Sequence, residues 1–201
     1  ISNVNYFENA AVLDLDFNIG DVIAYIPDTS KFAGQGRLMI GDEVVFYNRK
    51  LDGDFAAHKN SVIEKSTGDY IFHIDADEYP HEVLLQQLKQ ILEINDVDLV
   101  WIPRVNTVDG FTDEDVQKWG WRINEKNWVN YPDYQARVFR NNKDIRWTRP
   151  LHEYITGCKT YSHLPPHEEL SLYHPKTIEK QEEQNMFYNQ NFSKEMNVRK
   201  I

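Results

Sequence analysis

Cysteine is almost absent from this sequence: Cys158 is the single cysteine among 201 residues. One thiol excludes a disulfide within the chain and a zinc site built from several cysteines. A free cysteine of this kind is usually a small, partly buried side chain. A reducing environment is the simplest setting for such a chain, and we therefore expect a cytoplasmic protein.

Long hydrophobic runs are also missing. The uninterrupted apolar stretches are only a few residues long, whereas a helix that spans a bilayer needs about 20 apolar residues. The first residues also lack a basic region followed by an apolar one, which is the pattern of a secretory signal. The sequence therefore predicts a soluble chain without a transmembrane segment.

Positive charge is scarce. Lys and Arg number 22 against 32 Asp and Glu, which gives a formal net charge of -10 at neutral pH. This charge disfavours nucleic acid or an anionic membrane as the main partner, because both are polyanions. An acidic chain that handles phosphate groups needs a metal ion or a local basic patch at its site.

The composition that remains is that of one globular domain, with 41% hydrophobic and 13% aromatic residues. Up to residue 105, strand-like and helix-like segments alternate. The residue patterns predict strands at 21–26, 42–48, 70–74 and 97–105, and helices at 55–66 and 80–94. Asp54 is placed to cap the first helix. This alternation predicts an α/β fold, in which helices cover a sheet.

The second predicted helix carries an apolar stripe at spacings of three and four residues. Its members are Leu84, Leu85, Leu88, Ile91 and Leu92. From 106 to 133 the periodicity is lost, and we interpret this polar segment as a long ordered excursion over the sheet. Its tryptophans Trp119, Trp121 and Trp128 suit either core packing or a platform on which a sugar ring stacks.

Two further strands are predicted at 134–141 and 145–155, on either side of the turn "NNKD". The segment after residue 175 is charged and prone to form a helix. We therefore divide the chain into one domain at 1–175 and a charged helical C-terminal extension at 176–201, which we expect to pack weakly or against a partner.

Acidic pairs of the form Asp-x-Asp occur five times in the sequence. Only the pair of Asp75 and Asp77, in "YIFHIDADEYP", directly follows a well-defined strand and precedes a helix. Ligands of open α/β sheets bind at the carboxyl ends of strands, so this position distinguishes the pair from the other four. The pair is followed at once by Glu78, which we interpret as a cap of the next helix.

Three carboxylates at one strand end repel one another unless a cation lies among them. Oxygen ligands suit Mg²⁺ or Mn²⁺, held by few protein carboxylates and completed by phosphate oxygens and water. An acidic loop that merely caps the following helix is the other interpretation of this motif alone.

Two blocks of the sequence resemble family 2 glycosyltransferases of the GT-A fold. The first is "DFAAHKNSVIEKSTGDYIFHIDADEYP", and the second is "DYQARVFRNNKDIRWTRPLHEYI" at 133–155. The resemblance implies a Rossmann-like single domain with a mostly parallel central sheet. It also implies metal-dependent transfer of a sugar, with inversion, from a nucleoside-diphosphate sugar to a hydroxyl acceptor. A UDP-sugar donor, a glycan acceptor and a hexosyltransferase-like activity are the family expectation.

The resemblance also implies roles for individual residues. Asp75 is expected near the donor ribose and the metal, Asp77 as the metal ligand that bridges to the diphosphate, and His174 as a later metal ligand. Glu153, in "LHEYI", matches the family's catalytic base, which takes the proton of the acceptor hydroxyl. An ion pair of Glu153 with Arg149 or Arg140 is the structural alternative.

Three further residues are expected to bind the donor. In "AHKN" the family's usual arginine is replaced by Lys59, which keeps the charge but loses the planar fork of a guanidinium. Asn60 follows it, and Asp28, in "AYIPDTSKF", is the candidate contact to the base or ribose.

Two other classes of function stay open at this point. A phosphohydrolase of the haloacid dehalogenase kind also begins from Asp-x-Asp after a strand, but it usually has Thr or Val where this chain has Tyr79. A catalytically inactive module that binds nucleotide sugars or carbohydrate is the third class. Such a module binds nucleotide with Mn²⁺ but releases none from a sugar donor.

Overall fold

A computed structural model describes residues 53–75 and 77–193 in full, together with the backbone of 36–40 and 43–47. Within these residues the chain forms an α/β domain with four helices and mixed sheets. The α/β class predicted from the alternating pattern is therefore confirmed. The predicted strand at 21–26, Asp28 and the end of the C-terminal extension lie outside the described residues.

The strands and helices follow in this order along the chain. The strands are β1 (Gly36–Ile40), β2 (Glu43–Tyr47), β3 (Tyr70–Phe72), β4 (Tyr79–Pro80), β5 (Leu99–Ile102), β6 (Arg104–Asp109), β7 (Gln135–Arg140), β8 (Arg146–Thr148), β9 (Tyr154–Thr156), β10 (Tyr161–His163) and β11 (Leu172–Thr177). The helices are α1 (Phe55–Ile63), α2 (Glu82–Asn95), α3 (Asp113–Trp119) and α4 (Ile178–Asn191). Strands β1 and β2 form an antiparallel hairpin.

The central sheet has the strand order β10-β5-β7-β3. Strands β10 and β5 are parallel, whereas β7 runs antiparallel to both of its neighbours, β5 and β3. Among the described strands β7 alone is reversed relative to β3, β5 and β10, so the sheet is mixed and the expected mostly parallel sheet is not confirmed. Because β7 runs in the opposite direction, its first residues lie at the edge where β3 and β5 end.

A second sheet has the order β4-β11-β6 and continues from the same edge. Strand β11 is parallel to β6, and their register places His174 opposite Asn106. Strand β4, which follows the acidic motif, pairs with β11 in the antiparallel direction. The carboxyl edge of the central sheet is thus directly connected to a second set of strands.

The two predicted helices of the first half are confirmed. Helix α1 begins after Asp54, whose carboxylate accepts a hydrogen bond from the Ala57 N–H at 2.8 Å. Helix α2 buries Leu84, Leu85 and Leu88 in the core beneath the central sheet. The remaining members of its predicted stripe, Ile91 and Leu92, are partly buried against the same core.

Strand β8 does not pair with β7, although the turn "NNKD" lies between them. It pairs with β9 in a short antiparallel hairpin, and Glu153 lies in the hairpin loop directly before β9. Helix α1 supports this hairpin: the Asn60 amide donates to the Trp147 carbonyl at 2.8 Å and accepts from the Trp147 N–H at 2.9 Å. The hairpin loop is therefore fixed against α1.

The excursion at 106–133 is ordered, as predicted, and it contains the end of β6 and the whole of α3. Trp128 is buried against Tyr131, whereas Trp119 and Trp121 pack against each other with ring centroids 4.7 Å apart. Helix α4 forms within the predicted C-terminal extension. In the part of the chain that the structure describes, every helix is too short or too polar to cross a bilayer.

Candidate active site

The first carboxylate of the acidic motif, Asp75, is surrounded by cationic and polar groups. It accepts from His73 Nε2 at 2.8 Å and from the Arg137 guanidinium, and its Oδ1 atom lies 3.4 Å from Lys59 Nζ. Burial raises the pKa of Asp75, but Arg137 and Lys59 outweigh burial and hold that pKa well below its usual value. Burial lowers the pKa of His73 to about 4, so His73 is neutral and acts as a hydrogen-bond donor.

Glu78 does not cap α2, and that prediction is wrong. The side chain of His81 caps the helix by accepting from the Val83 N–H at 3.1 Å. The Glu78 side chain is fully buried and lies 2.6 Å from both the Arg104 and the Arg137 guanidinium groups. Two cations compensate for the loss of water around this carboxylate, which explains why a buried glutamate is tolerated here.

A β-bulge brings Arg137 to the motif. Val138 pairs with Val100 of β5, and Ala136 pairs with Trp101, so Arg137 is the extra residue between them. A bulge changes the direction of the extra side chain, and here Arg137 reaches both Asp75 and Glu78.

The second motif carboxylate, Asp77, faces His174. The distance from Asp77 Oδ2 to His174 Nε2 is 3.4 Å, and Lys180 Nζ of α4 is also 3.4 Å from Oδ2. Burial raises the pKa of Asp77, but the nearby ammonium groups of Lys180 and Lys176 act against burial, and the pKa lies below its usual value. Asp77 is thus an ionised carboxylate at neutral pH, with a histidine ring beside it.

The hydrogen bonds of Asn106 define the protonation of this ring. The Asn106 amide nitrogen donates to Asp133 at 2.9 Å and to the Val129 carbonyl at 3.4 Å, so its oxygen faces His174 Nδ1 at 2.8 Å. The oxygen accepts only, and Nδ1 must therefore carry the proton. Burial lowers the pKa of His174, which favours the neutral ring. The unprotonated Nε2 then points its lone pair at the Asp77 carboxylate.

A ring nitrogen with a lone pair and a carboxylate that lie 3.4 Å apart attract a cation, and in this structure the ammonium group of Lys180 lies beside the carboxylate. A neutral imidazole, oriented through its other nitrogen, and one carboxylate are ligands that Mn²⁺ accepts. Within 53–75 and 77–193, no three His, Cys, Asp or Glu side chains converge into a complete metal cage. A metal held here therefore needs further ligands from a substrate or from water, as is usual for Mg²⁺.

Lys59 connects the acidic motif to Glu153. Its ammonium group lies 2.6 Å from Glu153 Oε1 and 3.4 Å from Asp75 Oδ1, and it also packs over the Trp147 ring at 4.3 Å from the centroid. The Lys59 side chain is only 3% exposed. Of the two alternative partners predicted for Glu153, Arg140 instead contacts Asp96 and Asp98, and an ion pair with Arg149 stays a prediction.

The structure thus brings five of the predicted site residues to one edge of the sheets: Lys59, Asp75, Asp77, Glu153 and His174. The Asn60 amide is engaged with the Trp147 backbone, so its observed role is to join α1 to β8. A donor contact by Asn60 stays a prediction.

Sequence reasoning missed the cations that organise this site. Arg104, Arg137, Lys176 and Lys180 come from strands or helices that are distant in sequence from the acidic motif. Their only sequence signal is that an acidic motif in an acidic chain needs nearby positive charge, which predicts that such residues exist but does not identify them.

A family model described as Glycosyl transferase family 2 matches residues 35–164 of the chain. The match includes Lys59, Asp75, Asp77, Arg137 and Glu153, and it ends before β11 and α4. A comparison with curated proteins found no match. The family match favours the glycosyltransferase interpretation over the phosphohydrolase one.

The buried carboxylate of Glu78 yields a stability prediction. Glu78→Gln should lower the free energy of unfolding by about 3 kcal/mol, because it leaves the buried Arg137 and the partly buried Arg104 short of one negative charge. Urea unfolding followed by circular dichroism measures this change. The control is Glu82→Gln, an exposed glutamate of α2, which should change the value by less than about 0.5 kcal/mol. Equal values for the two variants would show that Glu78 does not hold the site together.

Proposed function

Since this chain belongs to glycosyl transferase family 2, we propose that it is a metal-dependent inverting glycosyltransferase. It transfers a sugar from a nucleoside-diphosphate sugar, with a UDP-sugar as the donor, to a hydroxyl group of a glycan. The observation that carries this proposal is the position of Lys59, which contacts both the candidate base Glu153 and Asp75 of the acidic motif. The groups for proton removal and for donor binding therefore belong to one site.

The donor side is built around Asp77 and His174. These residues fit a divalent cation because the ring, whose other nitrogen is bonded to Asn106, presents an unprotonated nitrogen to an ionised carboxylate. Mn²⁺ or Mg²⁺ bound there would stabilise the negative charge that develops on the departing nucleoside diphosphate. Asp75 supports this side indirectly, since its carboxylate is already bonded to His73 and Arg137.

The acceptor side is built around Glu153. In an inverting transfer the acceptor oxygen attacks from the face opposite the leaving group, and a base must take its proton. The Glu153 carboxylate lies in the β8–β9 loop with 17% of its side chain exposed, so it is open to an acceptor on one side. Lys59 holds it from the other side, over the Trp147 ring. When the Glu153 carboxylate accepts the proton of the acceptor hydroxyl, it therefore does so beside the ammonium group of Lys59.

The first prediction from this proposed function concerns Asp77. Asp77→Ala should weaken the binding of UDP in the presence of Mn²⁺ by at least about tenfold, to the value that the unchanged chain shows in EDTA. Isothermal titration calorimetry with and without EDTA measures this difference. Asp69→Ala is the control, since Asp69 is exposed at the opposite end of β3. The metal site is refuted if the Asp77 variant and the unchanged chain bind UDP alike in both conditions.

The second prediction concerns Glu153. Glu153→Gln should keep donor affinity but slow transfer by about 10² to 10⁴-fold, because the amide cannot accept the proton. The rate is measured as nucleoside diphosphate released from the donor that the unchanged chain uses, with the exposed Glu64→Gln as control. Near-normal release by the Glu153 variant would assign the base elsewhere. A chain that binds donor but never releases nucleotide, even unmutated, would instead be a non-catalytic binding module.

A further inference from the structure

Helix α4 presents one polar stripe to the site. Lys180, Gln184 and Tyr188 are spaced by four residues, so they lie on the same face of the helix. No residue of α4 is fully buried. The end of the helix packs through Phe192, whose ring contacts the rings of Phe55 and Tyr188. The rest of its contacts with the site come from this polar stripe.

The first part of the stripe lies at the donor side. Lys180 Nζ is 3.4 Å from Asp77 Oδ2, and the Gln184 side-chain oxygen accepts from Lys176 Nζ at 2.9 Å. Lys176 belongs to β11 and is half-buried beside Asp77, Arg104 and Lys180. One ammonium group, that of Lys180, thus contacts the carboxylate that faces His174, and Lys176 adds a second positive charge in the same region, in a chain whose net charge is -10.

The far end of the stripe lies at the acceptor side. The Gln184 amide donates to the Tyr188 hydroxyl at 3.1 Å, and the Tyr188 ring lies 6.0 Å from the ring of His152, the neighbour of Glu153. Because Lys180 lies beside Asp77 and Tyr188 lies beside His152, α4 crosses the site from the donor side to the acceptor side.

We infer that α4 is a donor-binding element, in which Lys180, together with Lys176, binds the diphosphate of the donor. This inference rests on the proposed function, because it assigns the ligand of the same site. In the structure Lys180 neutralises Asp77. When the donor binds, Lys180 exchanges the Asp77 carboxylate for a phosphate oxygen and leaves that carboxylate to the divalent cation.

Three observations support the exchange. Lys180 is half-exposed, with 50% of its side chain accessible, so its long stem is free to change partners. Arg104 cannot take its place, because Glu78 and Asp133 already bind that guanidinium at 2.6 Å each. Finally, a phosphate group accepts charge-assisted hydrogen bonds from ammonium groups more strongly than from neutral donors.

An ordinary surface ion pair that anchors α4 is the competing explanation, and the same helix offers a matched control. Glu182 of α4 pairs with Lys118 of α3 at 3.0 Å. The Lys118 side chain is 56% exposed and the Glu182 side chain is 49% exposed. Lys118→Gln removes one anchor of the helix without touching the site. Lys180→Gln removes another contact of the helix and, on our inference, the diphosphate contact as well.

The experiment measures two affinities of the full chain, for Mn²⁺ alone and for UDP or GDP at saturating Mn²⁺. In Lys180→Gln, Mn²⁺ alone should bind several-fold more tightly, because no ammonium competes for Asp77. The nucleoside diphosphate should bind about tenfold more weakly. Lys118→Gln should change neither affinity, and Lys180→Arg should restore nucleotide binding. Circular dichroism checks that both glutamine variants keep their helix content.

The opposite shifts in the two affinities distinguish a diphosphate contact from a helix anchor. Unchanged affinities in Lys180→Gln would overturn the inference, and so would equal losses in Lys180→Gln and Lys118→Gln. If the unchanged chain binds nucleotide with Mn²⁺ and Lys180→Gln binds it equally well, this inference alone fails. If the unchanged chain binds neither UDP nor GDP with Mn²⁺, the proposed function fails with it.

Discussion

The fully buried carboxylate of Glu78 lies between the guanidinium groups of Arg104 and Arg137, 2.6 Å from each. This contact joins the two sheets, because Arg137 belongs to the central sheet and Arg104 begins a strand of the second one. Arg137 also binds Asp75, so the same guanidinium orients the first carboxylate of the acidic motif. Without these cations, the motif would place several negative charges at one buried edge, at a large electrostatic cost.

This buried network gives the two aspartates of the acidic motif different surroundings. Asp75 is turned inward and neutralised by the chain's own cations, whereas Asp77 faces His174 and the polar stripe of α4. Lys59 contacts both Asp75 and Glu153, and Glu153 lies in the loop of the β8–β9 hairpin. A continuous series of ion pairs therefore joins the junction of the two sheets to the candidate base: Glu78, Arg137, Asp75, Lys59 and Glu153. A substitution of a residue inside this series, rather than at Glu78 or Glu153, is expected to affect both stability and activity.

The sequence predicted what depends on neighbouring residues. The cap at Asp54, the buried leucines of α2 and the acidic motif at the end of β3 are local patterns, and the structure contains all three. It did not predict that Glu78 is buried, because its partners are 26 and 59 residues away. The reversed β7, its bulge at Arg137 and the path of α4 over the site likewise arise from long-range pairing, which has no local signature.

The proposed function requires that this edge of the two sheets binds a nucleotide sugar through a divalent cation. Thermal unfolding of the chain with a panel of nucleotides and nucleotide sugars measures such binding, because a ligand that binds only the folded state raises the midpoint. At least one nucleoside diphosphate or its sugar should raise Tm in Mn²⁺, and EDTA should abolish the rise. A Tm that no member of the panel changes in Mn²⁺, or a rise that persists in EDTA, would rule out metal-dependent donor binding at this edge.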